Sequence, residues 1–128
     1  MRDAELEAAA LRLARRATER VQSGDFTGAV EDLERAGVLL DGAELPAARA
    51  LVLYAEGIVQ RLLPGREHRA VLRLCQATIE ALSAGDEDLE LACRRKTLQL
   101  ATEAGDTVRA EAERAQIEAM EAVRSPSG

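Results

Sequence analysis

Aromatic side chains are almost missing from this chain of 128 residues: it has one Phe, one Tyr and no Trp. Their scarcity argues against a strand-rich fold, which draws on aromatic and β-branched residues. It also removes the stacking platforms on which single-stranded nucleic acid is held. There is one histidine, His68, and there are two cysteines, Cys75 and Cys93. One His without a cysteine cluster at ligand spacing does not make a zinc site, and two thiols do not make a disulfide framework. Both cysteines sit in apolar helical patterns and read as buried structural thiols. No segment approaches the ~18 apolar residues that a bilayer span requires. Residues 1–22 mix charge throughout and lack the uninterrupted apolar core of a secretory leader. The expectation is a cytoplasmic protein with no membrane partner. A net charge of −6 argues against direct binding of nucleic acid.

Catalytic constellations are equally scarce. With no strands there is no Gly-rich phosphate loop between a strand and a helix. A Ser or Cys nucleophile would need a base, and His68 has no identified partner. Carboxylates abound, but on charged helix surfaces where nothing displaces a pKa. The sequence points away from an enzyme and implies no cofactor and no metal.

What the chain has is Ala, Leu, Glu and Arg in abundance, all strong helix formers. Its punctuation (Gly24, Gly42, Pro64-Gly65, Gly85, Gly105) separates long stretches of helical apolar spacing. The fold class is all-α, with six helices over about 3–22, 26–40, 43–63, 66–83, 86–104 and 106–123. Short links make these three antiparallel hairpins, at about 3–40, 43–83 and 86–123. Together they form a single domain over 1–124, followed by a disordered tail at 125–128. In the fourth helix the spacing places Val71, Leu74, Cys75, Ile79 and Leu82 inward. In the sixth, Val108, Ile117, Met120 and Val123 form an apolar cap that suits self-association. Gly57 in mid-helix costs ~1 kcal/mol against Ala, which calls for a compensating close approach of two helices.

Three times a glycine precedes an alanine by five residues at the head of a helical pattern: Gly24/Ala29, Gly65/Ala70 and Gly105/Ala110. The glycines are 41 and then 40 residues apart. A fixed period of this size marks stacked helical units, none able to bury its apolar face alone. The first link, Gly24-Asp25-Phe26, followed by Ala29, Leu33 and Ala36, resembles the tetratricopeptide repeat, with Ala17 at that family's small position on the first helix. The second unit keeps Gly65, Ala70, Leu74 and Ala77, with Arg66 and Glu67 in place of Asp and the aromatic, and Gly57 one residue out of register. The third keeps Gly105, Asp106 and Ala110 but has Arg114 where a large apolar residue belongs. The pitch exceeds the family's unit of about 34 residues. Longer helices of this pitch also look like the helical regions of large bacterial transcription regulators, and HEAT-type repeats share the length. The resemblance implies a short right-handed superhelix that binds a protein or peptide, and it implies no chemistry.

Two surfaces are candidates for that partner. The first is basic: Arg12, Arg16 and Arg20 on the first helix, Arg69 and Arg73 on the fourth, and Arg94 and Arg95 on the fifth, since Arg grips carboxylates through a planar fork. The bland reading of each stripe is a solvated face balanced by nearby acids. The second is apolar. By the family pattern the inner face is lined by Leu11, Ala14, Thr18 and Val21, then Val52, Ala55 and Val59, which would accept an amphipathic helix or a second copy of the chain. The bland reading here is ordinary core. The family's clamp for acidic carboxyl tails needs Lys and Asn, and the chain has one Lys and no Asn. A sensor or oligomerisation region of a bacterial regulator, or a bundle holding a small apolar ligand, remains as an alternative function.

Overall fold

The computed structural model describes residues 2–124, and the tail expected at 125–128 lies outside them. Within the described residues the chain is all-helical, with no strand: α1 (Asp3–Gln22), α2 (Phe26–Leu40), α3 (Pro46–Arg61), α4 (Glu67–Ala84), α5 (Glu87–Glu103) and α6 (Thr107–Arg124). The third helix stops at Arg61 rather than near Leu63, because Leu62 and Leu63 close a tighter turn ahead of Pro64.

The links follow from local chemistry. Gly24, Gly42, Gly65, Gly85 and Gly105 all adopt positive φ, and among the described residues no other residue type does. At Gly24 (φ 85°) a side chain would be strained whatever the space around it. The next residue, Asp25, accepts a hydrogen bond at 2.9 Å from the backbone N–H of Gly28 and so caps α2. Asp86 and Asp106 repeat this at the starts of α5 and α6, accepting from the N–H groups of Leu89 (3.0 Å) and Arg109 (3.1 Å). Arg66, which stands where Asp would be expected at the start of α4, makes no such side-chain cap.

Each helix packs on its neighbour in sequence, and α3 additionally packs on α1 and on α5. The backbones of α2, α4 and α6 do not meet one another. An apolar cluster joins the first three helices through Ala10 and Ala17, Ala29, Leu33, Ala36 and Leu40, and Ala48, Val52 and Val59. A smaller one joins α4 to α5 through Ala70, Val71, Leu74 and Leu100, with Tyr54 of α3 against it. Burying a Leu such as Leu33 or Leu74 contributes ~2 kcal/mol.

The face of α4 that turns inward differs from the one its apolar spacing suggests. Val71 and Leu74 are buried and Cys75 is half-buried, but Ile79 and Leu82 are exposed, and Ala70, Ala77, Thr78 and Ala81 take the interior. The reason lies on α3. A Cβ on Gly57 would stand 2.6 Å from Leu74 Cγ and 3.2 Å from the Ala70 carbonyl oxygen. The bare backbone at Gly57 seats Ala70 and Leu74 of α4, so the line through Ala70, Leu74, Ala77 and Ala81 faces inward and Leu72, Ile79 and Leu82 stay outside.

On α6 the expected apolar cap divides. Ile117 is buried and Met120 half-buried, whereas Val108 and Val123 point to solvent. Arg114 is exposed, and Ala110, Glu113 and Ile117 form the inward line.

Candidate functional site

The basic stripes resolve into bonds within the molecule. Arg16 Nε and Arg20 Nε both donate to Oδ2 of the buried Asp32, at 3.1 and 2.8 Å. Arg20 Nη1 also reaches Asp25 at 2.7 Å. The hydrogen bonds to Asp25 and Asp32 raise the Arg20 pKa. The Gly28 N–H and then Arg20 hold the Asp25 carboxyl below its ordinary value. Arg73 Nε pairs with Glu56 at 3.0 Å. Arg94 donates to Glu90 at 2.8 Å and to Glu113 at 3.1 Å, both carboxylates being buried. Burial works to lower the Arg94 pKa, but those two acids outweigh it and the pKa is raised. Arg95 pairs with Glu121 at 3.0 Å. Of the seven arginines expected to grip a partner, only Arg12 and Arg69 are exposed without an ion pair among the described residues.

These pairs follow the repeat. Asp32, Arg73 and Glu113 each lie eight residues after a link glycine, and each bonds back to the preceding helix: Asp32 to Arg16, Arg73 to Glu56, Glu113 to Arg94. The middle pair has its polarity reversed. The alternation of sign at this position is visible in the sequence once the glycines are aligned.

Much of the expected inner apolar face is interior, with Leu11 half-buried and Thr18 exposed. Val52 and Val59 are buried in the first cluster and Ala55 packs against it, as do Val21 and Ala14. A partner cannot reach Val52 or Val59 without opening α1 and α2 away from α3.

The exposed apolar side chains lie elsewhere. All the large ones except Leu51 and Leu62 are on α2, α4 and α6: Val38, Leu72, Ile79, Leu82, Val108 and Val123. Because α2 and α4 do not touch, an open groove of about 550 Å³ runs between them with α3 as its floor. Val38 and Glu34 form one wall, Leu53 and Glu56 the floor, and Arg73, Gln76 and Ile79 the other wall. Val38 is 75% exposed and Ile79 61%. Burial pushes the Glu56 carboxyl above its ordinary value of 4.5, against the pull of Arg73 and with added repulsion from Glu34. A second groove of about 300 Å³ brings Leu82 of α4 together with Met120 and Val123 of α6. The spacing of Ile79 and Leu82 signals an apolar helix face, but the sequence carries no mark of which apolar face stays outside.

Cys93 is fully buried, and burial, with Asp86 and Glu90 nearby, pushes its pKa up to about 11. Cys75 is half-buried and also raised, burial outweighing the adjacent Arg109, whose Nη1 lies 3.1 Å from Sγ. Both are held as thiols at neutral pH, and the thiol is the weak nucleophile of the pair. His68 is exposed. Among the described residues no three His, Cys, Asp or Glu side chains are grouped to hold a metal ion, and no helix is long and apolar enough to cross a membrane.

A scan against protein-family models, a search of curated proteins and a search of solved structures each find no match to this chain.

Proposed function

We propose that this chain is a non-catalytic protein-interaction module, built as three helical hairpins (α1–α2, α3–α4 and α5–α6) stacked in a short right-handed superhelix of tetratricopeptide type. Two features support the stacking. The first helices α1, α3 and α5 pack on one another in order, and each second helix packs on its own partner and on the next first helix. The small residues at the repeated positions, Ala17, Ala29, Ala70 and Ala110, are buried at helix–helix contacts.

The observation that carries the functional reading is the concentration of large exposed apolar side chains on α2, α4 and α6, four of which (Val38, Ile79, Leu82 and Val123) line open grooves. Grouped apolar exposure of this kind marks interaction sites, and a groove between two helix walls suits an amphipathic helix. The docking surface is accordingly assigned to the second helices, centred on α4, and not to the arginine stripes or the first-helix face.

Affinity capture from native lysate tests it. A protein retained by the native chain should be lost with Ile79→Glu and Val38→Glu and kept with Arg12→Glu. Retention by both groove variants would reject the surface.

A further inference from the structure

We propose that the groove between α2 and α4 takes a basic amphipathic helix of a partner protein, with its apolar stripe on Val38, Leu53 and Ile79 and its Lys or Arg side chains on Glu34 and Asp41. The assignment rests on the reading of the second helices as the docking surface and adds the chemistry of what docks there.

Six of the residues lining this groove are charged, four acids and two arginines. The arginines are already engaged inside it. Arg73 pairs with Glu56 at 3.0 Å and donates to Gln76 at 2.9 Å. Arg49 lies 3.5 Å from Glu80 and donates to the Leu40 carbonyl oxygen at 3.3 Å. Glu34 and Asp41 are both exposed, and neither has an ion-pair partner among the described residues. The α2 wall therefore carries two uncompensated negative charges. Arg35, the neighbouring cation on α2, lines a separate cleft with Leu13 and Leu39 and not this one. Beyond Asp41, Arg49 and Glu80 the groove continues into a second open cleft, which adds Glu44 and no further cation.

Two more features favour a positive occupant. Asp41 directly follows the last residue of α2, at the negative end of that helix's dipole, where its own helix disfavours an acid. Glu56 on the floor has its carboxyl raised by burial and, further, by repulsion from Glu34. A cation held against Glu34 offsets that repulsion. An acidic partner, by contrast, meets no unengaged cation in the groove.

The spacing specifies the occupant further. Glu34, Val38 and Asp41 follow one another by four and three residues, so they share one face of α2 over two turns, ~10 Å end to end. A helix laid along that face matches it with two basic residues seven apart and an apolar residue between them. Its remaining apolar side chains then reach Leu53 and Ile79.

Fluorescence anisotropy with two labelled peptides tests the proposal. Each is an amphipathic helix of about 18 residues with Leu along one face. One carries two Lys seven residues apart at the edge of that face, and its twin carries Glu at the same places. The basic peptide should bind the native chain, more weakly as salt rises, and the acidic twin should not. Glu34→Lys/Asp41→Lys should weaken the basic peptide about tenfold, the scale of two lost ion pairs, and should bind the acidic twin instead. Its helical circular dichroism should be unchanged, since both side chains are exposed. Glu111→Lys/Glu118→Lys alters two exposed acids of α6 outside both clefts. It shifts the net charge equally and should leave the basic peptide bound as in the native chain. Equal binding of the two peptides, or equal weakening by the α6 and α2 variants, would overturn the proposal. So would a dimer of the native chain, seen by sedimentation, that Glu34→Lys/Asp41→Lys dissociates, because the groove would then belong to a second copy. If neither peptide binds while Ile79→Glu still abolishes capture of a protein from lysate, the basic partner falls and the docking role of α4 stands.

Discussion

The α1–α2 and α5–α6 pairs start from the same turn and fill their interiors differently. Both links place a left-handed glycine before an aspartate that caps the next helix, Gly24-Asp25 and Gly105-Asp106. Both then bury an alanine five residues after the glycine, Ala29 and Ala110. Four residues later they part: Leu33 is fully buried, whereas Arg114 is exposed. In α6 the interior is taken over by Glu113 and Ile117, and Glu113 joins Glu90 and Arg94 in a compact ion cluster. The arginine of that cluster is 16% exposed, against 48% for Arg16 at the corresponding pair of the first helices. The turn therefore sets where a second helix starts, and the residues after it decide whether the space is filled by hydrocarbon or by paired charge. Paired charge of this kind adds little net stability over apolar packing, yet it is costly to break from one side.

The largest expected effect tests the middle pair as the reference. Gly57→Leu forces a side chain into Leu74 and the Ala70 backbone, and urea unfolding should show a loss of about 3 kcal/mol; an unchanged midpoint would mean α3 and α4 can part freely. Next, Leu33→Ala should cost about 3 kcal/mol and Ile117→Ala, at the edge of the last pair, about 2. Equal costs would erase the contrast between an apolar first pair and a thinner last one.

Removing the charges should invert that ranking. Glu113→Ala leaves Arg94 half-satisfied in a buried place and should cost about 2–3 kcal/mol, while Asp32→Ala frees two arginines that can turn to water and should cost about 1. A larger loss at Asp32 would show that the first pair depends on charge as much as the last.

The smallest effect concerns pH. The Asp25 carboxyl is depressed below its ordinary 3.8 in the fold by the Gly28 N–H and Arg20. Its contribution is therefore complete above about 3.8 and lost as pH falls through the lower folded value. Asp25→Asn should flatten stability against pH in that acid window, with its small loss showing at neutral pH and vanishing below the folded value.

Much of the fold is legible because it is local. Gly24, Gly85 and Gly105 end helices through backbone chemistry, and Asp25 and Asp106 cap through a carboxylate three residues from its donor; neither needs a distant contact. The close approach expected at Gly57 also appears, against Ala70 and Leu74. The surfaces were less legible. Arg16, Arg20, Arg73 and Arg94 look like a partner's landing strip until their acids arrive from the neighbouring helix, 12 to 19 residues away in sequence or, for Glu90, one turn back. Val52 and Val59 look like a lining and are core.

The chain's own residues determine six helices, their boundaries to within a few residues, and the regular placement of small side chains where helices meet, since propensity, capping and periodicity act over one or two turns. Which face of each helix is covered was decided only in three dimensions. On α4, apolar residues occur on more than one side, and the close seat of Gly57 against Ala70 and Leu74 turns that side inward and leaves Leu72, Ile79 and Leu82 in solvent. That choice depends on the distance between two helices, which no spacing within one helix encodes.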